Sequence, residues 1–202
     1  MNKKIEYAVL HLHKNDEIIR QIIADVGECT LKPSKDYFKS LTKSIISQQL
    51  ATNVAKIIFN RFQAKLKMNI TPQHVLNLKK HQFIKAGISK QKRTYLINLA
   101  TAFQNGDIEV GTITKKTDEQ IIEQITKVKG IGRWSVDMFL IFCLNRMNVL
   151  PETDKGLGRS VQLHYNLSEP PNQQELMEIS EAWKPYRSIA VWYLWQSINK
   201  NR

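Results

Sequence analysis

The chain has 202 residues, of which 30 are Lys or Arg and 18 are Asp or Glu, so its formal net charge at pH 7 is +12. This excess favours a polyanionic partner, usually nucleic acid, although a lysine-rich solvated surface would give the same balance. Two cysteines exclude a four-cysteine zinc site and an iron–sulfur cluster. There is no signal peptide at the start and no apolar stretch near the ~18 residues that cross a bilayer, so we expect a cytoplasmic protein.

Apolar residues spaced three and four apart dominate the sequence, whereas no convincing alternating strand appears. The spacing predicts helical segments within 5–26, 33–46 and 52–62, and the polar residues 47–49 separate the last two. Gly27 can end the first segment, because glycine accepts the left-handed backbone that often follows a helix.

Capping residues and prolines mark where the later helices begin, and glycines mark where some of them end. Together the segments predict an all-α fold of about ten short helices. Cys143 lies in one of the apolar segments and is expected to be a buried free thiol. The later helices are predicted after Thr71-Pro72, between Gly87 and Gly106, after the capping box Thr117-Asp-Glu-Gln120, near 133–145, from Asp154, after Pro170-Pro171, and from Tyr186 to about Ser197.

Two glycines, Gly130 and Gly132, stand between two of the predicted helices. Glycine permits a tight turn whose backbone no side chain shields. The amides from Gly130 to Gly132 would lie at a helix N-terminus, which favours an anion such as phosphate. A plain turn between helices is the alternative, but the basic neighbours Lys127, Lys129 and Arg133 favour DNA. The pattern therefore predicts a helix-hairpin-helix over 127–145, a sequence-independent DNA-binding motif.

Four segments together resemble the helix-hairpin-helix/Gly-Pro-Asp superfamily of DNA glycosylases. Within it the chain is most similar to the 3-methyladenine DNA glycosylase II type, which excises alkylated purines. The runs Gly130-Ile-Gly-Arg-Trp-Ser135 and Trp183-Lys-Pro-Tyr-Arg-Ser188 are specific to that branch. We expect the minimal form, without the β-rich N-terminal domain that some members carry. The four segments are 45–50, 128–142, 150–161 and 183–195.

Asp154 occupies the position of the family's catalytic aspartate. The resemblance implies that its carboxylate stabilises the positive charge that develops on the sugar, or orients the attacking water. An N-cap role for the helix from Lys155 is the structural alternative, and both roles can hold at once. Many members have glycine where Thr153 stands and an apolar residue where Lys155 stands, which changes the local electrostatics. Asp137 is the second choice, although a structural hydrogen bond is its expected role.

The resemblance also separates two mechanisms. In the bifunctional glycosylase/lyase branch, a nucleophilic lysine follows the hairpin at the position of Trp134. No amine is available there, so we predict a monofunctional enzyme, with Lys155 as the nearest lysine that could restore the alternative.

Aromatic and polar residues at further family positions are implied to handle the flipped base. Trp134 and Trp195 would line the base pocket, where an indole attracts a cationic methylated purine, with Met138 and Gln48 beside them. Gln49 would be the wedge that fills the gap left by the flipped nucleotide. The structural alternatives are core packing for both tryptophans and a capped helix-joining loop for the two glutamines.

The resemblance implies that a monovalent cation, Na+ or K+, can be held by the backbone carbonyls of Thr126, Val128 and Gly130 when DNA is bound. No other cofactor is expected, since the five histidines show no metal-binding spacing.

We predict a helical domain over 44–149, which carries the wedge and the hairpin, and a second domain from 1–43 plus 150–202. A cleft between them would hold Asp154 and the two tryptophans. We expect a monomer, active at the nucleoid, that excises 3-methyladenine or 7-methylguanine from duplex DNA. Hypoxanthine and ethenoadenine remain open as substrates. The alternative is an inactive protein with the same fold that recognises lesions or distorted duplex.

Overall fold

A computed structural model describes residues 3–200, with side chains up to residue 198. Helices dominate these residues and no strand occurs among them, so the all-α prediction is confirmed. None of the described helices is long and apolar enough to cross a membrane. The α-helices are α1 (Lys3–Asn15), α2 (Glu17–Val26), α3 (Tyr37–Ser47), α4 (Thr52–Lys65), α5 (Pro72–Leu76), α6 (Lys80–Ala86), α7 (Lys90–Asn105), α8 (Asp118–Thr126), α9 (Arg133–Phe142), α10 (Lys155–His164), α11 (Gln173–Ile179) and α12 (Arg187–Lys200). Short 3₁₀ helices cover Ile113–Lys115 and Ser180–Trp183.

Side-chain caps set several helix boundaries more sharply than the apolar pattern did. The capping box of α8 is confirmed, because Thr117 accepts from the Gln120 amide while the Gln120 side chain accepts from the Thr117 amide. The helix predicted from Pro33 instead begins at Tyr37, since the Asp36 carboxylate accepts from the Lys39 amide. A cap at Asp16 likewise divides the first predicted segment into α1 and α2.

The described chain divides into two compact units. Unit 1 consists of residues 1–33 and 145–202, and unit 2 of residues 34–144. The sequence placed these boundaries at 43/44 and 149/150, and its ranges include residues 1–2 and 201–202, which lie outside the described residues. The unit boundary precedes α3 because α3 packs against α4, α7 and α9.

Unit 2 has its core where α3 meets α7 and α9. Leu41, Ile45 and Ile46 of α3 are fully buried. The Phe38 and Phe103 rings meet edge to face at 5.1 Å.

Unit 1 packs α12 against α1, α2 and α10. One partly buried polar network joins the start of α2, the end of α10 and the second 3₁₀ helix, because Asp16 Oδ2 accepts from Tyr165 Oη at 2.6 Å and from Trp183 Nε1 at 2.8 Å. Burial raises the pKa of Tyr165, so its hydroxyl stays a donor. The burial of Tyr193 raises its pKa to about 12.

Each unit contains one cysteine, and both are buried: Cys29 is 4% exposed and Cys143 is 3% exposed. The Cys143 thiol donates to the Ser34 carbonyl at 2.9 Å. Burial raises the pKa of both thiols. The prediction that Cys143 is a buried free thiol is confirmed.

Candidate functional site

The hairpin of unit 2 joins α8 to α9. The Ile131 amide donates to the Val128 carbonyl at 3.0 Å and closes the turn. Gly130 has φ +106, and a Cβ there would lie 2.1 Å from Cγ of Tyr95. Gly132 is the N-cap of α9, and a Cβ there would meet nothing within 4 Å. Gly130 is therefore required by the fold, whereas Gly132 leaves an open backbone at a helix N-terminus, where an anion is favoured.

The basic residues around the hairpin differ in their surroundings. Lys129 is exposed, and exposed Lys127 pairs with Glu123 at 3.1 Å, a surface contact of little energetic weight. Arg133 Nε donates to Asp137 Oδ1 at 2.8 Å, with the arginine side chain 57% and the aspartate side chain 2% exposed. Asp137 is thus a buried carboxylate that pairs with an exposed arginine one turn earlier in α9. The roles of Lys129 and Arg133 at DNA phosphates stay predictions.

The polar break after α3 is a tight turn made by residues 47–50. The Leu50 amide donates to the Ser47 carbonyl at 3.1 Å. Gln48 has φ −49 and ψ 128, and Gln49 has φ +57. These angles are those of a type II turn, whose third residue is usually glycine. Holding a glutamine in this left-handed conformation costs about 1 kcal/mol, and such strain gathers at functional sites. Gln49, the predicted wedge, is exposed at the turn.

This turn is tied to the hairpin and to α7. Gln48 Nε2 donates to the Gly130 carbonyl and to Ser135 Oγ, each at 3.0 Å. Lys92 Nζ donates to the carbonyls of Ile46 at 2.6 Å and Gln48 at 2.9 Å. Partial burial lowers the pKa of Lys92, because desolvation disfavours its charge. The structure thus shows the Gln48 amide bound to the hairpin and to Ser135 of α9. Its predicted place in the base pocket stays a prediction.

In unit 1, Asp154 is the N-cap of α10. Its Oδ1 accepts from the Leu157 amide at 2.6 Å and from Trp195 Nε1 at 3.0 Å. The N-terminal end of a helix favours negative charge, so the backbone supports a carboxylate here. A Cβ on Gly156 would lie 3.1 Å from Oδ1, so a side chain there would crowd the carboxylate. The structure thus shows the N-cap role and leaves the catalytic role as a prediction.

The segment that leads to Asp154 is anchored by Ser188, at the start of α12. Ser188 Oγ donates to the Arg146 carbonyl at 2.6 Å and accepts from the Val149 amide at 3.0 Å. The Ser188 amide donates to the Met147 carbonyl at 3.0 Å. Ser188 is fully buried, so these bonds are shielded from water and hold the segment of residues 146–149 that precedes Asp154.

The remaining predicted pocket residues are distributed over both units. Trp134 and Met138 lie on α9 of unit 2 and are half-buried. Trp195 lies on α12 of unit 1, also half-buried, with its indole N–H directed at Asp154. The structure therefore brings Trp195 to the carboxylate, a contact that the sequence did not predict. Stacking on a base stays a prediction for both tryptophans.

The predicted monovalent cation would use three backbone carbonyls, of which two already accept hydrogen bonds. The Val128 carbonyl accepts from Ile131, and the Gly130 carbonyl from Gln48. A carbonyl oxygen has two lone pairs, so both can still coordinate, together with Thr126. Among the described residues, no group of His, Cys, Asp and Glu could hold a metal ion.

Comparison with known proteins identifies the class to which this fold and site belong. Residues 42–185 match the HhH-GPD superfamily of base excision DNA repair proteins, so the chain belongs to that superfamily and the predicted family is confirmed. The alkylbase DNA glycosidase-like protein mag2 of Schizosaccharomyces pombe is 31% identical, over 97% of this chain and 96% of that protein.

Two solved structures are similar along almost the whole chain. One is the Schizosaccharomyces pombe 3-methyladenine DNA glycosylase Mag1 in complex with abasic DNA. It has a TM-score of 0.85 and 30% identity, and 96% of this chain and 97% of that chain are covered. The other is a DNA-3-methyladenine glycosidase from Bacillus halodurans. It has a TM-score of 0.76 and 29% identity, over 94% of this chain and 88% of that chain.

Sequence reasoning missed the residues that support the two loops of unit 2. Lys92 resembles any other lysine in a chain with 30 basic residues, and Tyr95 fits the apolar period of α7. The one available signal was Gly130, because a required glycine implies that some side chain approaches its backbone closely.

Proposed function

We propose that the protein is a monofunctional DNA glycosylase that flips an alkylated purine out of duplex DNA and hydrolyses its N-glycosidic bond. The observation that carries this proposal is Asp154, whose Oδ1 is fixed by two N–H donors at a helix N-terminus. The similar 3-methyladenine DNA glycosylases support the substrate class, and one of them was captured with abasic DNA, the product that hydrolysis would leave.

The chemistry needs a fixed negative charge near the sugar. As the bond between C1′ and the base nitrogen breaks, the electron pair leaves with the base and positive charge develops on the sugar. The Asp154 carboxylate stabilises that charge, and water then adds to C1′ and loses a proton. Leu157 and Trp195 already orient the carboxylate, so little reorganisation is required during the reaction.

Methylation at N3 or N7 makes a purine cationic and a good leaving group, so selection can rest partly on bond lability. Trp134 and Trp195 would attract such a base through cation–π contacts and stacking. We expect 3-methyladenine and 7-methylguanine to be released before any neutral lesion.

Double-stranded DNA is the expected partner, bound by a monomer through the backbone at Gly130 and Gly132 and the side chains of Lys129 and Arg133. Each phosphate neutralised should steepen the dependence of log affinity on log salt by ~0.9. The monomer can be checked by light scattering at the concentrations used for binding.

The test is release of free 3-methyladenine and 7-methylguanine from methylated duplex DNA under single-turnover conditions. Release with no strand cleavage supports the proposal. A covalent complex trapped by borohydride would point to a lyase and direct attention to Lys155. A protein that binds lesion-containing duplex and releases no base would be the inactive lesion-binding alternative.

A further inference from the structure

One face of α7 contacts both loops that the proposed function assigns to DNA. Lys92, Tyr95 and Asn98 are three positions apart, so they lie on the same side of the helix, and all three are half-buried. Lys92 binds the turn after α3, the Tyr95 ring lies against Gly130, and Asn98 Nδ2 donates to the Lys129 carbonyl at 3.0 Å. This face is therefore a common support for the wedge turn (residues 47–50) and the hairpin.

The contact made by Lys92 differs from the other two because it acts on the conformation of a turn. The Gln48 carbonyl, which accepts from Nζ at 2.9 Å, belongs to the central peptide of the wedge turn. Type I and type II turns differ mainly in the orientation of this peptide. In the type I form Gln49 would have a negative φ, which suits a residue with a side chain better than the observed +57.

Without a restraint, the wedge turn would therefore favour the other form. The Lys92 ammonium supplies the restraint, because it donates at once to the Gln48 carbonyl and to the Ile46 carbonyl at the end of α3. Flipping the central peptide would break the first of these bonds, and hydrogen bonds from a charged donor are among the stronger ones. The Gln48 side chain holds the same residue from the hairpin side.

We propose that Lys92 is a positioning residue that selects the type II form of the wedge turn and thereby directs Gln49 toward the DNA. This inference rests on the proposed function in that Gln49 must enter the duplex when a base is flipped. Lys92 itself touches neither the base nor the sugar in this account. Its effect passes entirely through the backbone between Gln48 and Gln49.

The test is a double-mutant cycle of Lys92→Met with Gln49→Ala, followed by the fluorescence of 2-aminopurine placed next to an abasic site in duplex DNA. Methionine keeps the length of the side chain but has no donor. Lys90→Met is the matched control, because it removes the same charge from the exposed first turn of α7. Lys92→Arg keeps donors at the position.

We expect Lys92→Met to lower the fluorescence gain and the single-turnover excision rate by roughly tenfold, with duplex affinity equal to that of Lys90→Met. In the Gln49→Ala background, Lys92→Met should have no further effect, because the side chain that it positions is gone. Lys92→Arg should restore most of the signal. Melting temperatures identify any variant that fails to fold.

Equal losses in Lys92→Met and Lys90→Met would overturn the inference, and so would losses that add in the Gln49→Ala background. The abasic site has no base to release, and the fluorescence reports insertion of Gln49 beside it. The cycle therefore decides the role of Lys92 even if the wild type releases no base from methylated DNA. In that case the proposed glycosylase activity is contradicted, whereas the fluorescence cycle still tests the positioning role of Lys92. A wild type that leaves the fluorescence unchanged overturns the positioning role.

Discussion

The substitution Asp154→Asn separates the two roles that the structure and the family assign to one carboxylate. Asparagine is as good an N-cap as aspartate, and its Oδ1 can accept from Leu157 and Trp195 as the present Oδ1 does. The free energy of unfolding should therefore change by no more than ~0.5 kcal/mol.

The catalytic cost of Asp154→Asn is expected to be much larger. A carboxylate ~4 Å from a developing unit charge is worth ~4 kcal/mol at an effective dielectric of ~20. Since each ~1.4 kcal/mol corresponds to a factor of ten, excision should fall by ~10³. Asp154→Ala should lose the same activity and also destabilise the fold by ~1 kcal/mol, because it removes the cap.

The assay combines single-turnover release of 3-methyladenine from methylated duplex with urea unfolding of each variant. Asp36→Asn is the matched control, since Asp36 caps α3 through the Lys39 amide at 2.9 Å and is exposed. It should keep full activity. Excision that survives Asp154→Asn would refute the reasoning and move the chemistry to Asp137. A stability loss of several kcal/mol would show that the charge of Asp154 is structural.

Four other substitutions have expected outcomes that follow from the local structure. Gly130→Ala should lower the free energy of unfolding by ~1–3 kcal/mol, measured by urea unfolding, because its Cβ would meet Tyr95. Gly132→Ala should leave urea unfolding unchanged, because its Cβ would meet nothing, and should weaken duplex binding in a titration if phosphate approaches there. Gln49→Gly should unfold at the same or a slightly higher urea concentration, since glycine adopts the positive φ of this position without strain. The variant should nevertheless give less 2-aminopurine fluorescence, because it has no side chain to insert. A fluorescence signal equal to that of the wild type would exclude a wedge role. Burial lowers the pKa of His164 from its usual 6.5, so on acidification the imidazole takes up a proton in the unfolded chain before it does so in the folded protein. The free energy of unfolding should therefore fall as the pH drops below ~6.5, and His164→Gln should reduce this pH dependence in unfolding titrations from pH 5 to 7. An unchanged pH dependence would contradict the prediction.

The parts of the fold that local chemistry dictates could be read from the sequence. The helix between Gly87 and Gly106 and the capping box at Thr117 depend on neighbours within four residues, and both were predicted. The start of α3 was misplaced because Pro33 is a common helix opener, while the cap that decides the boundary is Asp36.

The candidate site was less predictable, because its contacts join residues far apart in the chain. Asp154 could be located from its position in the family pattern, but its bond to Trp195 spans 41 residues, and no spacing rule indicates such a contact. The bonds from Lys92 to the turn after α3 span 44 and 46 residues. The left-handed backbone of Gln49 was also unexpected, since sequence patterns place glycine or asparagine at such a position.

The burial of both cysteines has a consequence for a protein that is proposed to repair methylated DNA. The reagents that methylate purines also attack thiolates, which are the nucleophilic form of cysteine. Cys29 and Cys143 are almost inaccessible, and their raised pKa keeps them as thiols. In the folded protein the two thiols should therefore resist the reagents that create its proposed substrates, whereas the unfolded chain would be modified at both positions.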